Sequence, residues 1–182
     1  GSKAQKLLQL CSGAVYDEDH VARVFNTSRY ELVMQLVMER DHSVVAFNWT
    51  HQRDELIKLA TKEGIRFGVI DGSTPVNDRT RVVDAFQRGE LQVIFAHPQS
   101  AGHGLTLTQG RATIWASPTY NAEWFQQFNA RIYRAGQTRR TETIMIAANG
   151  TKEPEVYEIL MGKRERMFNL LGVFASTTGE AA

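Results

Sequence analysis

Two arginines and a glutamine near residue 130 are the side chains of this sequence best suited to phosphate chemistry. Arg131 and Arg134 lie three positions apart, and Gln127 precedes Arg131 by four. The surrounding pattern predicts a helix, which would place all three side chains on one face. Arginine keeps its charge and donates from a planar fork, so two such groups fit phosphate oxygens. A solvated polar face is the alternative interpretation of an isolated Arg-x-x-Arg pair.

A glycine-rich loop, residues 100–107, is the second candidate phosphate site. Gly102 and Gly104 flank His103, and Ser100, which precedes them, is a predicted nucleic-acid contact. Glycine lets the backbone approach a ligand and exposes N–H groups to phosphate oxygens of DNA or of a nucleotide. A tight turn without a ligand is the alternative, and His103 is either a ligand contact or a structural residue. The loop is not a dinucleotide fingerprint, because no third glycine follows at the required spacing.

Further polar residues lie where predicted strands give way to helices. Asn48, Thr50 and His51 follow one such strand, and Ser73 occupies the corresponding loop of the next unit. Free N–H groups and the positive dipole end at a helix start favour phosphate. The sequence therefore predicts contacts to a nucleic-acid backbone here. Helix capping by Thr50 and turn formation by Ser73 are the alternatives.

A local positive patch follows the paired arginines. Arg139 and Arg140 complete a stretch, residues 131–140, that holds four arginines and no acid in a chain of net charge +1. They are either backbone contacts or simple surface charge. Phosphate contacts carry no base information, so the expected nucleic-acid recognition is independent of sequence.

Alternating strands and helices must position these loops. The periodicity predicts strands over 43–47, 66–70, 92–96, 112–116 and 143–148. It predicts a helix that starts near Ser28, with Ser28 as its N-cap, and further helices over 51–63, 77–88, 121–133 and 151–171. Such alternation specifies a doubly wound α/β domain with a parallel sheet, in which ligands sit at the carboxyl ends of the strands. Residues 3–27 fall outside the alternation, and we expect them to pack against the sheet's edge or to belong to a preceding domain.

Composition excludes several classes of protein. With 42% hydrophobic and 23% charged residues, the chain is typical of a globular domain and not of a disordered or collagen-like one. No apolar stretch approaches the roughly 20 residues that span a bilayer, so we expect no membrane contact. Cys11 is the one cysteine, and no Cys/His spacing fits a metal site. This indicates a reducing compartment, the cytoplasm, and no bound metal. Gly1-Ser2 (residues 1–2) resembles a tag remnant.

Several motifs, taken in order, resemble those of the Swi/Snf-type ATPases of helicase superfamily two. Residues 127–137 resemble motif VI, residues 100–107 motif V with Thr106 in place of an Asn, and residues 44–50 motif IV. Two looser matches are Gly72-Ser73-Thr74 with Arg79 and Phe86, and Gly150-Thr151 with Glu155 and Lys163. The glycine-rich loop is also similar to that of motors carried by bacteria and bacterial viruses, which implies the cytoplasm of a bacterium or of a virus-infected host.

The resemblance implies a RecA-like C-terminal motor lobe over residues 28–174, preceded by an extension or interlobe segment (3–27) and followed by a tail (175–182). It implies that Arg131 and Arg134 reach the phosphates of ATP, that Gln127 orients them or touches a phosphate, and that Gly102 and Gly104 contribute to ATP binding. Mg²⁺ would be held by an N-terminal RecA-like lobe, and duplex DNA would be the second partner.

The other half of such a site is missing from this sequence. No Gly-x-x-x-x-Gly-Lys-Ser/Thr phosphate loop occurs in it. Asp17-Glu18-Asp19-His20 has the spacing of a metal-binding motif II, but it lacks the buried strand and the upstream phosphate loop that such a motif follows. We therefore interpret it as a solvated acidic turn. The alternative functions are a non-catalytic nucleic-acid-binding module of the same fold and the nucleotide-sugar half of a glycosyltransferase.

Overall fold

Helices and strands alternate along the chain from residue 28 onward in the computed structural model, which describes residues 3–101 and 104–162. Before that point lie α1 (Lys3–Cys11) and a hairpin of β1 (Ala14–Tyr16) and β2 (Ala22–Val24). The remaining strands are β3 (Ser43–Ala46), β4 (Phe67–Ile70), β5 (Val93–Ala96), β6 (Ala112–Trp115) and β7 (Glu142–Met145). The remaining helices are α2 (Ser28–Met38), α3 (Thr50–Lys62), α4 (Val76–Gln87), α5 (Pro98–Ala101), α6 (Ala122–Asn129) and α7 (153–162).

The five later strands form one parallel sheet in the order β4-β5-β3-β6-β7. Every residue of β3, β5 and β6 is buried, which explains why these strands are apolar on both faces. Helices α2 and α3 bury residues such as Tyr30 and Leu56 against one face of the sheet. Helices α4, α6 and α7 bury Phe86, Phe128 and Leu160 against the other. The predicted doubly wound α/β fold is confirmed.

Helix α6 ends earlier than the sequence pattern predicts. Its last residue is Asn129, and residues 130–136, which we call the arginine turn, form consecutive turns and bends. The carbonyl oxygen of Arg131 accepts a hydrogen bond from the N–H of Leu107 at 3.0 Å, and Gly136 adopts a φ of 96°. The prediction that Arg131 and Arg134 share one helical face is therefore wrong: the Arg131 N–H already bonds to the Phe128 carbonyl, three residues back, and the Arg131 carbonyl bonds to a distant loop.

Residues 3–24 pack over the carboxyl ends of the central strands and not beside an edge strand, which corrects our expectation. Leu8 of α1 is 2% exposed and joins the core cluster that contains Ala46 and Trp115. Two phenolic contacts hold the segment: the Tyr30 hydroxyl donates to the Ser12 carbonyl, and the Tyr120 hydroxyl reaches the Ala4 carbonyl at 3.5 Å. This segment is thus built into the lobe.

Two helix starts also differ from the prediction. Thr27, not Ser28, is the N-cap of α2, because Ser28 Oγ donates instead to Asn26 Oδ1 at 2.6 Å. Helix α7 begins at residue 153, after a turn in which Thr151 Oγ1 donates to the Ala148 carbonyl at 2.7 Å. The described residues do not include the predicted end of this helix at residue 171, nor Lys163 of the last motif match, the tail 175–182 or residues 1–2. Within the described ranges, no helix is long and apolar enough to cross a membrane.

Candidate phosphate-binding sites

The glycine-rich loop and the arginine turn are hydrogen-bonded to each other. The first such bond is the one from Leu107 to Arg131. The Gln137 side chain, directly after the arginine turn, makes a second connection to the residues that directly follow the loop. Its Nε2 donates to the carbonyls of Thr108 at 2.9 Å and Gly110 at 3.2 Å, and also to that of Ile132 at 2.9 Å. The structure thus brings together the two candidate phosphate-binding segments that are separate in sequence.

Arg131 and Arg134 occupy unequal environments within the arginine turn. Arg134 is exposed, and its Nη1 donates to the Leu105 carbonyl at 3.1 Å and to Thr106 Oγ1 at 3.3 Å. Arg131 is 7% exposed. Burial, and then the positive charge of Arg134, lower the pKa of Arg131. Arg134 is therefore the guanidinium of the pair that faces solvent.

The remaining residues of the predicted ATP site are placed less directly. Gln127 lies on α6, and its Nε2 donates to Glu123 Oε1 at 2.8 Å, one helical turn earlier and away from the arginines. Gly104 is exposed, with a φ of 73° and no atom within 4 Å of the position of an added Cβ. Its backbone is open to a ligand on that side. Gly102 and His103 lie outside the described residues.

A second site is a cleft of about 910 Å³ at the carboxyl ends of β3, β4 and β5, which we call the strand-end cleft. Asn48, Thr50, Ser73 and Ser100 all line it, so the structure brings together four of the predicted nucleic-acid contacts. The opposite wall comes from α1, through Gln5, Lys6 and Gln9. Sequence reasoning missed that wall, because nothing in residues 3–11 indicates which part of the sheet they cover.

Two of these four side chains are engaged within the protein. Asn48 Nδ2 donates to the Ser117 carbonyl at 3.1 Å and to Ser117 Oγ at 3.0 Å, which ties the end of β3 to the end of β6. Ser73 Oγ donates to Asp71 Oδ1 at 2.6 Å. Thr50 is the exposed first residue of α3, and Trp49 is its N-cap. Asn48 and Ser73 therefore shape the cleft, and Thr50 faces it.

Asp71 organises one end of the strand-end cleft and was not predicted. It accepts hydrogen bonds from the Ser73 N–H at 2.9 Å and from Arg53 Nη1 at 2.8 Å. Burial by itself would raise the pKa of Asp71, but the hydrogen bonds from Ser73 and Arg53 outweigh it and lower the pKa to about 2. An Asp directly before Gly-Ser-Thr is the sequence signal of such a turn.

His51 is not available to nucleic acid, which corrects the prediction. It is 2% exposed. Its Nε2 lies 2.9 Å from Ser12 Oγ and its Nδ1 lies 3.0 Å from the Tyr16 hydroxyl. Ser12 Oγ also donates to the Gln9 carbonyl, so this network assigns the ring proton to Nε2. Burial lowers the pKa of His51 to about 4, and the ring is a neutral structural link between α3 and the N-terminal hairpin.

Arg139 and Arg140 lie away from the strand-end cleft. Both are exposed and directly precede β7, and Arg140 lines a separate depression with Arg40, Asp41 and Arg111. The first residues of β3, β6 and β7 lie beside this depression, so it is at the amino end of the sheet. The sheet therefore separates Arg140 from Asn48, Thr50, Ser73 and Ser100, and the prediction that Arg139 and Arg140 contact a nucleic-acid backbone stays a prediction about a different surface.

The acidic stretch in the N-terminal hairpin shapes a turn. Asp17 Oδ1 accepts from the N–H groups of Asp19 at 3.2 Å and Val21 at 2.9 Å, and Asp17 Oδ2 lies 3.3 Å from Arg23 Nε. His20 adopts a φ of 60° at the tip. In the part of the chain that the structure describes, no group of three His, Cys, Asp or Glu residues is arranged to hold a metal ion.

Comparisons with known proteins give a consistent picture. The helicase conserved C-terminal domain family matches residues 28–136. The SNF2 domain-containing protein ENL1 of Oryza sativa subsp. japonica is 32% identical over 133 residues, which are 72% of this chain and 14% of that protein. Putative protein p41 of Acyrthosiphon pisum secondary endosymbiont phage 1 is 27% identical over 172 residues, which are 90% of this chain and 35% of that protein. The chain therefore spans only a minor part of these relatives.

A solved structure shares the fold. The C-terminal part of the Fun30 ATPase domain matches 72% of this chain and 44% of that one, with a TM-score of 0.67 and 20% sequence identity.

Proposed function

The chain belongs to the helicase conserved C-terminal domain family, as the C-terminal lobe of a Swi/Snf-type superfamily-two helicase, and we propose that it supplies half of a composite, DNA-dependent ATPase site. Arg134 would act as the arginine that stabilises charge on the transferred phosphoryl group, with Arg131 behind it. The family assignment excludes the glycosyltransferase alternative. A non-catalytic module of the same fold is the alternative that an experiment must separate.

The observation that carries this proposal is the arginine turn held against the glycine-rich loop. Arg134 presents an exposed, permanently charged guanidinium beside the open backbone of Gly104. An exposed guanidinium next to an exposed glycine backbone suits the oxygens of a triphosphate. These residues therefore fit one side of a nucleotide site.

Arg134 would contribute to the reaction through charge. Phosphoryl transfer spreads negative charge over the transferred group, and a pre-positioned cation stabilises it. Arg131 is too buried to contact the transferred group directly, so its role would be to add positive potential at the site and to support the arginine turn. Gln127 donates one of its two amide hydrogens to Glu123 and would use the other to contact a phosphate. Mg²⁺, when bound, would neutralise charge on the β- and γ-phosphates, and its ligands would have to come from the N-terminal lobe.

The strand-end cleft is the proposed contact to the DNA backbone. Thr50, Ser100 and Lys6 line it, and Thr50 is the first residue of α3 at the same end of the sheet. These groups suit phosphate oxygens and read no base edges, which fits sequence-independent binding. Named relatives include the DNA repair and recombination protein RAD54 of Oryza sativa subsp. japonica. Relatives with such names support DNA as the partner.

The test is DNA-stimulated ATP hydrolysis by a polypeptide that carries both lobes. Arg134→Ala should lower turnover by roughly 10³-fold, the magnitude expected for a lost arginine finger. Because Arg134 is exposed, the free energy of unfolding of the variant should differ from that of the parent by less than about 1 kcal/mol. Arg88→Ala is the matched control, since Arg88 is an exposed arginine at the C-cap of α4 and belongs to neither candidate site. Equal turnover in the two variants would contradict the assignment and favour the non-catalytic module.

A further inference from the structure

We propose that Thr106 is a positioning residue that holds the guanidinium of Arg134 in its working orientation through the side-chain hydroxyl. The inference rests on the proposed function, because it assigns Thr106 a task only if Arg134 acts on a phosphate. Its direct basis is the contact from Arg134 Nη1 to Thr106 Oγ1 at 3.3 Å, made together with the contact to the Leu105 carbonyl at 3.1 Å.

Arg134 needs such support because of where it lies. It follows the end of α6 by five residues, on an exposed turn, where a long arginine side chain has many accessible rotamers. Rotamer freedom that is lost only when phosphate binds weakens the interaction at the moment of reaction. Two acceptors at fixed positions restrict the side chain beforehand, so the guanidinium is pre-organised for the developing charge.

Thr106 is a suitable acceptor because its backbone is anchored on both sides. Leu107 is fully buried and bonded to the arginine turn, and Leu105 packs against the main core cluster. Thr106 itself is exposed between them. Its hydroxyl sits on a branched Cβ with one restricted torsion, so the oxygen occupies a well-defined position.

The contact geometry leaves part of the guanidinium for the ligand. Both acceptors engage Nη1, so the edge formed by Nη2 and Nε can be presented to phosphate oxygens. The Asn that the related motif carries at this position would reach further, through an additional torsion. The Thr in this chain therefore sets a shorter and stiffer support for Arg134.

The experiment compares Thr106→Val with Thr106→Ser in the two-lobed polypeptide, at saturating ATP and duplex DNA. Removal of the hydroxyl should lower kcat by about 10-fold, the effect of one lost hydrogen bond to a charged group, with KM for ATP changed by less than about 2-fold. Thr106→Ser keeps the hydroxyl and should retain kcat within about 3-fold. Thr80→Val, on the exposed face of α4, is the control for a generic Thr-to-Val change. If Thr106→Val does not fold, Thr106→Ala carries the same test.

The outcomes separate this inference from the proposed function. A kcat within about 2-fold of the parent in Thr106→Val overturns the positioning role, provided that Arg134→Ala is inactive. A serine variant as slow as the valine variant also overturns it, because the hydroxyl would then not be the reason. Full turnover in Arg134→Ala instead rejects the proposed function itself.

Discussion

The backbone N–H of Leu107 donates to the carbonyl oxygen of Arg131 over 3.0 Å, and this bond joins the glycine-rich loop to the arginine turn. It occurs just where α6 gives way to turns, and it places Arg134 within reach of Leu105 and Thr106. A displacement of the loop must therefore displace the arginines, because Leu107 is fully buried and Arg131 nearly so. A ligand that shifts the glycine-rich loop would therefore also shift the arginine turn through this bond.

The 182-residue chain alone should release no phosphate from ATP in the presence of Mg²⁺ and duplex DNA. Its arginines provide charge, but positioning of the triphosphate against an attacking water needs the other lobe. Phosphate release should equal that of a variant carrying both Arg131→Ala and Arg134→Ala. Turnover that disappears in the double variant would mean that a complete site exists within this chain.

The same chain should bind duplex DNA weakly and with an affinity that falls as salt rises. Contacts to phosphates release counterions, so the logarithm of the binding constant should decrease linearly with the logarithm of salt concentration. Lys6→Ala, in the strand-end cleft, should reduce that slope by about 1. Lys62→Ala, at the far end of α3, should leave it unchanged. A strong preference for one duplex sequence, or an equal effect of both variants, would contradict the proposed surface.

Stability should decrease in mildly acidic solution because of His51. The pKa of His51 is lowered from 6.5 to about 4, so between these pH values the unfolded chain binds more protons than the folded one. The free energy of unfolding should therefore fall as pH drops through this window, by at most about 1.4 kcal/mol per pH unit. Burial also lowers the pKa of His97, which adds in the same direction.

Urea unfolding at several pH values measures this dependence. His51→Gln should flatten the slope and leave the share of His97. Asp71 does not interfere, because its pKa shifts from 3.8 to about 2, so its contribution is lost only at lower pH. An unchanged slope in His51→Gln would show that the ring is not the group that titrates.

Glu153→Gln should destabilise the lobe by about 3 kcal/mol or more, since removal of one charge from a buried ion pair leaves the other uncompensated. Arg29 Nη2 lies 2.6 Å from Glu153 Oε2, and Glu153 is fully buried. The guanidinium also donates to the Ala116 carbonyl at 2.7 Å and the Cys11 carbonyl at 2.9 Å, so it fastens three segments together.

The neighbouring pair supplies the control for this change. Lys152 Nζ lies 2.6 Å from Glu155 Oε2, but both side chains are more than half exposed. Glu155→Gln should change the free energy of unfolding by less than about 1 kcal/mol. Chemical denaturation of the two variants gives the comparison, and similar losses would show that burial does not decide the effect.

Local sequence determined the architecture and the family. The runs Ser43–Ala46, Val93–Ala96 and Ala112–Trp115 are short and apolar at nearly every position, which a strand buried on both faces requires. Helical periodicity marked the helices between them to within a few residues. The ordered motifs identified the family because each lies in one short stretch of chain. These features depend on neighbouring residues and can be read without the fold.

Tertiary structure decided which candidate residues are exposed and which lie together. His51 is buried by Ser12 and Tyr16, which are 39 and 35 positions away. The Arg131 carbonyl bonds to Leu107, which is distant in sequence, and Arg140 lies at the opposite end of the sheet from Thr50 because it precedes β7 whereas Thr50 follows β3. Periodicity cannot report such contacts, since a side chain's burial and partners depend on segments that chain folding brings together from distant positions.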